Sequence, residues 1–264
     1  MYEFKHLPAA DTAAAVEARN NADDGQYLAG GQTLIPVLKQ RLAMPSALID
    51  LAGISDLKGI SVDTETITIG AMTTHAEVAA NADVRRLIPA LADLAGGIGD
   101  PQVRNRGTIG GSVANSDPAA DYPAAVLGLG ATIRTDRREI AAGDFFTDLF
   151  ETALEDGELI TSVTFPVVEA AAYVKFDNPA SRFAIVGVFV CKGSDGVRVA
   201  VTGAGPCVFR AEAIENAFSA DFSPESLDDV SLAADGLNAD MHASADYRAH
   251  LIGVLARRAV TKLI

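Results

Sequence analysis

Apolar residues recur along this chain with two periods. Over residues 11–20, alanines and Val16 follow Asp11 at helical spacing, and Asp11 is suited to cap the helix they predict. A short strand over 26–29 runs into Gly30-Gly31. Leu34, Val37, Leu38 and Arg41 then give a helix over 32–41, with Pro36 close enough to its start to be tolerated. Residues 47–51 form a second strand, so the first fifty-odd residues predict a small βαβ-like lobe. LKGISV and TITIGA alternate on either side of Asp63-Thr64-Glu65 and predict a hairpin. Thr73 or Thr74 can cap a helix running through Asn81, and Leu87, Leu91 and Leu94 predict another over 84–96.

Residues 96–123 break the pattern. They are rich in glycine and proline, yet Ile98, Val103, Ile109 and Val113 are too apolar for a linker, so a long ordered loop with a function is expected. A short buried helix over 124–130, a strand pair within 131–141 turning at Asp136-Arg137, and a strand over 158–165 follow. The acidic, alanine-rich stretch 169–172 marks a boundary. Beyond it, strands over 173–176, 183–192 and 196–203 predict an antiparallel meander, closed by helices over 210–220, 226–234 and 246–264. The last of these places Leu251, Leu255, Ala259 and Leu263 on one stripe. The expected fold is α+β in three parts: residues 1–55, 56–168 and 169–264.

Composition narrows the function. With 264 residues, 49% hydrophobic and 21% charged, the chain is globular rather than disordered. A net charge of −14 argues against a nucleic-acid partner and requires any anionic ligand to be held by local donors. Cys191 and Cys207 are too few for an iron–sulfur cluster or a disulfide framework, which fits a reducing compartment. The first residues do not read as a secretory signal and no run is apolar enough to span a membrane, so a cytoplasmic location is expected. His6, His75, His242 and His250 are scattered without a ligand-spaced partner, so no metal site is expected. His75 reads as a first-turn helix residue. With no nucleophile–base–acid set, no catalytic residue is predicted, and a cofactor is expected to perform any reaction.

Two turns carry candidate cofactor chemistry. In the first, Ala29, Gly30, Gly31, Gln32 and Thr33 follow a strand and precede a helix, so successive N–H groups can converge on a phosphate. An ordinary turn that needs glycine for its dihedrals explains the same residues. In the second, Thr108, Ile109, Gly110, Gly111 and Ser112 repeat the recipe with a hydroxyl on each side of the glycines, and a tightly packed crossover is again the alternative. Neither turn matches GxxxxGK[ST] or GxGxxG, which makes P-loop and Rossmann readings poor ones. Asp121 can accept hydrogen bonds from ribose or ribityl hydroxyls or serve the fold. Asp117, before Pro118, reads as a helix cap, and Lys175 and Arg182 can reach an adenine or phosphate edge.

AGGQTLIPVLKQRLAMPSALIDL, IGAMTTHAEV, DPQVRNRGTIGGSVANSDPAADYPAA, KFDNPASRFAIVGV and VTGAGPCVFRAEAIE together resemble the medium, FAD-binding subunit of the molybdenum hydroxylases, the family of aerobic carbon monoxide dehydrogenase and xanthine dehydrogenase. The likeness covers nearly the whole chain in order. It implies a two-lobed FAD-binding domain of the PCMH/vanillyl-alcohol-oxidase type, followed by a three-stranded antiparallel sheet with helices. By the same resemblance, residues 29–33 hold one side of the FAD pyrophosphate and residues 108–112 the other. Asp121 binds the cofactor, Ile160 lies against the flavin and Lys175 lies near it. Electrons are expected to come from [2Fe–2S] clusters in a small partner subunit, after oxidation of a substrate at a molybdopterin-binding large subunit. They leave by FAD to an external acceptor, in a dimer of heterotrimers. A self-contained FAD-dependent oxidoreductase and a nonenzymatic nucleotide-binding scaffold remain alternatives.

Overall fold

The computed structural model describes all 264 residues. β1 (Lys5–Pro8), α1 (Thr12–Asn20), β2 (Gly25–Leu28), α2 (Leu34–Lys39) and β3 (Ala47–Asp50) form a parallel sheet in the order β1-β3-β2. The central strand is the apolar one, with Leu48 and Ile49 fully buried. Asp11 caps α1 as expected, its carboxylate accepting from the Ala14 N–H at 2.8 Å. The sequence pattern does not reveal β1, whose single aliphatic residue, Leu7, gives no alternation; pairing with β3 makes it a strand. α2 is shorter than the expected 32–41, because Gln32 and Thr33 belong to the turn and Arg41 adopts a left-handed conformation (φ 60°).

The second group contains β4 (Ile60–Val62), β5 (Thr66–Gly70), α3 (His75–Ala80), α4 (Ala82–Leu87), α5 (Pro89–Gly96), α6 (Pro101–Arg104), α7 (Ile109–Asn115), α8 (Tyr122–Leu129), β6 (Thr132–Thr135), β7 (Glu139–Ala141), α9 (Ala142–Phe145), β8 (Phe146–Asp148), β9 (Glu151–Thr152) and β10 (Ile160–Pro166). Its main sheet is antiparallel, in the order β4-β5-β10-β6-β7. Thr74 caps α3 in a reciprocal box with Glu77.

Two expectations need correction here. The helix over 84–96 is really α4 and α5, broken because Pro89 has no N–H and forces Ile88 out of helical geometry (φ −137°, ψ 69°). The glycine-rich stretch 96–123 is not a long loop. Asp100 and Thr108 cap α6 and α7 within it, and Gly110 lets α7 approach so closely that a Cβ there would lie 2.5 Å from the Ala71 Cβ.

The third group holds β11 (Ala170–Asp177), β12 (Ala184–Gly193), β13 (Gly196–Thr202), β14 (Phe209–Arg210), α10 (Glu212–Ala220) and α11 (Ala245–Thr261). The sheet is antiparallel in the order β11-β12-β13-β14, one short strand more than expected. β12 reads as an unbroken apolar run because both its faces are covered. Val186, Val188 and Val190 pack with Leu251, Ile252 and Leu255 of α11, while Phe189 and Cys191 join the core around α8. The alanine-rich stretch expected as a boundary is the start of β11, where Ala172 pairs with Val190 and is buried. The helix expected over 226–234 is only a 3-10 turn, Pro224–Leu227. The Asp228 side chain after it is held by Arg257 at 2.7 Å, and Asp and Ser in this stretch favour turns over helix. No helix is long and apolar enough to cross a membrane.

Candidate functional site

The first turn leaves a run of donors open. Gly31 has φ +71°, a conformation that suits glycine, and the side-chain amide of Gln32 closes the bend by donating to the Gly30 carbonyl at 3.2 Å. The carbonyls of Gly31 and Thr33 accept from Ile35 and Val37 at the start of α2. The five backbone N–H groups from Ala29 to Thr33 have no acceptor in the protein. Such a run of amides is the donor set of an anion nest.

The second turn differs from the expected recipe, because its amides are already used by the fold. The N–H of Ile109 donates to the Thr73 carbonyl (3.1 Å), that of Gly110 to Ala71 (2.9 Å), and that of Ser112 to Thr108 (3.0 Å). Gly111 donates to the Thr108 Oγ1 at 3.2 Å. The backbone N–H of Thr108 remains open, and so does the half-buried hydroxyl of Ser112, which has no partner. This turn therefore offers an amide and hydroxyls rather than a second nest.

The two turns, far apart in sequence, meet. A Cβ on Gly30 would overlap the Arg106 carbonyl oxygen and lie 2.8 Å from the Gly107 Cα. A Cβ on Gly111 would lie 3.6 Å from the Ala29 Cβ. Only glycine at position 30 permits this approach, which brings the open amides of one turn beside the hydroxyls of the other.

Asp121 lies at the start of α8 and is 4% exposed. Its Oδ1 accepts from the Tyr173 hydroxyl at 2.6 Å and faces the Lys175 Nζ at 3.0 Å, whereas its Oδ2 has no partner in the protein. Burial pushes the carboxyl up, and Lys175 and Tyr173 oppose that shift. Lys175 also donates to the carbonyls of Gly97 (3.1 Å) and Arg182 (2.9 Å), so its three protons are committed. Arg182 reaches the Gly99 carbonyl at 3.3 Å.

Asp117 does not cap a helix. Its Oδ1 accepts from the Ala119 N–H at 2.9 Å in a turn, which the third sheet clasps through Gly203 N–H to Pro118 O (2.7 Å) and Thr202 Oγ1 to Ala120 O (2.7 Å). Ile160 opens β10 and is 4% exposed within the largest core.

Sequence reasoning missed Tyr173, whose reach to Asp121 depends on the strand register of the third sheet, and it gave His75 no role beyond its helix. His75 is 5% exposed, its ring centroid lies 5.3 Å from that of Tyr122, and burial pushes its pKa down to about 4, with Arg104 adding to the shift. The helical spacing of His75 in TTHAEV signals only an inward-facing position.

This α+β scaffold, with its two joined glycine turns, offers a donor set for an anionic cofactor outside the P-loop and Rossmann classes. Residues 2–168 match the family described as the FAD binding domain in molybdopterin dehydrogenase. The carbon monoxide dehydrogenase medium chain of Hydrogenophaga pseudoflava is 31% identical over 97% of this chain and 94% of its own length. The 6-hydroxypseudooxynicotine dehydrogenase complex subunit alpha of Paenarthrobacter nicotinovorans is 33% identical over 93% of this chain and 88% of its own. Among solved structures, reconstituted CO dehydrogenase from Oligotropha carboxidovorans superposes with a TM-score of 0.92 at 32% identity, covering 98% of this chain and 96% of that one. The chain belongs to this family: it is a FAD-binding subunit of the molybdenum hydroxylases and a flavoprotein component of an oxidoreductase.

Proposed function

We propose that this chain is the electron-transfer subunit of a molybdenum hydroxylase complex, taking electrons from [2Fe–2S] clusters of a small partner subunit and passing them to an external acceptor. A molybdopterin-binding large subunit completes the complex, which we place in the cytoplasm as a dimer of heterotrimers. When bound, FAD supplies a carrier able to exchange electrons singly with iron–sulfur clusters and in pairs with an acceptor. The parts 1–55, 56–168 and 169–264 are three lobes, the first two holding the cofactor.

Ala29, Gly30, Gly31, Gln32 and Thr33 hold the diphosphate through their open amides. Thr108, Ile109, Gly110, Gly111 and Ser112 form the opposite wall. Its polar contacts come from the Thr108 amide and the two hydroxyls, while Ile109 and the glycines set the close approach. Asp121 accepts from a cofactor hydroxyl through its free Oδ2. Lys175 opposes the effect of burial on that carboxylate and orients it, rather than reaching the cofactor itself. Ile160 contributes apolar surface on the flavin side.

The observation that carries this reading is the run of five open amides packed against the second glycine turn. Purification of the chain with its co-expressed partners tests it: one FAD per chain, with iron and molybdenum in the other subunits, is the expected result. A complex that carries the metals without flavin rejects it.

A further inference from the structure

The imidazole of His75 occupies an unusual place. Its backbone N–H donates to the Gly107 carbonyl at 3.0 Å. Its ring turns back against the same residue, so closely that a Cβ on Gly107 would lie 2.5 Å from the His75 Nε2. On its other side the ring packs against Tyr122, the residue after Asp121, with centroids 5.3 Å apart and planes at 49°. Gly107 in turn supplies part of the surface on which Gly30 sits. One flat side chain thus spans the space between the junction of the two glycine turns and the first turn of α8.

That position carries a cost. The His75 Nδ1 and the Tyr122 hydroxyl are both sealed from solvent without a hydrogen-bond partner. A core built for stability alone would fill this slot with an aliphatic group, because buried polar atoms left unpaired are destabilising. The imidazole remains neutral in the ordinary pH range, since burial and the nearby Arg104 both disfavour its charged form. It therefore works by shape, as a thin planar wedge.

We propose that His75 is a positioning residue for the cofactor: wedged between Gly107 and Tyr122, it seats Gly107 against Gly30 and fixes the start of α8 that carries Asp121. Its ring makes no hydrogen bond to the open amides or to the Asp121 carboxylate, and it acts by keeping the two sides of the site at one separation. This inference rests on the FAD reading above.

The test is a double-mutant cycle in the full-length chain, with FAD affinity read by quenching of flavin fluorescence and the environment of the bound flavin by its visible circular dichroism. Melting of the apo-protein is followed in parallel. His75→Ala empties the wedge and is expected to weaken FAD binding about tenfold. Gly107→Ala in the native background forces a methyl into the imidazole and is expected to weaken it by a similar factor. In the double variant the methyl enters the vacated space, so affinity and the flavin dichroism recover toward native values even where apo-protein melting does not.

Native-like affinity in His75→Ala overturns the inference, and so do strictly multiplicative losses in the double variant, which mark two independent structural defects. If His75→Ala does not fold, Gly107→Ala alone decides: unchanged FAD affinity and dichroism overturn the wedge, and their loss supports it. Failure of the native chain and of its complex to bind FAD is a separate result that overturns the functional reading and this inference together.

Discussion

Gly30 lies against the Arg106 carbonyl so tightly that no other residue fits without moving one of the two turns. Gly30→Ala is therefore expected to separate them, weakening FAD binding by at least about tenfold and destabilising the fold by about 1–3 kcal/mol through overpacking. Flavin titration together with urea unfolding checks both effects. Gly253→Ala is the control. A Cβ there meets nothing within 4 Å, and the residue lies inside α11, so stability is expected to rise by about 0.5–1 kcal/mol with flavin binding unchanged.

Lys175 and Asp121 form a buried pair 3.0 Å apart. Lys175→Met leaves the carboxylate without its cation and is expected to cost about 3 kcal/mol at neutral pH. Because burial raises the folded-state pKa of Asp121, the folded chain binds the extra proton, and stability falls as pH rises above the ordinary carboxylate value. Without Lys175 that fall extends to higher pH. Asp121→Asn in the Lys175→Met background recovers most of the loss, since no buried charge remains. Urea unfolding across pH of the native chain and both variants measures this.

His75 acts in the opposite direction on the acid side. Its pKa is pushed from 6.5 to about 4 in the folded chain, so the unfolded chain binds more protons between these values and stability declines as pH falls through that window. The decline attributable to His75 is about 3 kcal/mol, and above the window His75 contributes no slope. In His75→Gln the difference in unfolding free energy from the native chain is expected to shrink as the pH is lowered. A difference independent of pH contradicts the buried, neutral imidazole.

The turn at Gln32 gives a fourth expectation. Its side-chain amide closes the bend onto the Gly30 carbonyl from an exposed position. Gln32→Ala is expected to weaken FAD binding by about threefold to tenfold, and to alter stability by less than about 0.5 kcal/mol, as surface substitutions usually do. Isothermal titration and thermal melting distinguish this from a structural defect, which would move both.

Much of this protein is legible in its residue pattern, because the pattern records burial. The caps Asp11 and Thr74, the hairpin around Asp63 and the run of β12 all follow from local chemistry or from faces that pack. The two glycine turns are legible as candidates. Their meeting is not, because it depends on how two sheets pack, and neither is the commitment of the second turn's amides to Ala71 and Thr73, carbonyls supplied by a distant segment. β1 escaped because its partner strand makes it. The short helices within 96–123 were readable from their cap residues, but the density of glycine masked them, while the break at Pro89 was readable from the proline itself and was overridden by the helical spacing of Leu87, Leu91 and Leu94. Lys175 is legible only as a candidate near the cofactor; its pairing with Asp121 depends on the register of the third sheet, and only the structure reveals that its protons are spent on the protein.

A crystal structure of the chain with FAD bound tests the central claim most directly. The account predicts the diphosphate within hydrogen-bond distance of the N–H groups of Ala29–Thr33, with the hydroxyls of Thr108 and Ser112 on its other side. A diphosphate lodged elsewhere, with those five amides facing solvent, contradicts it.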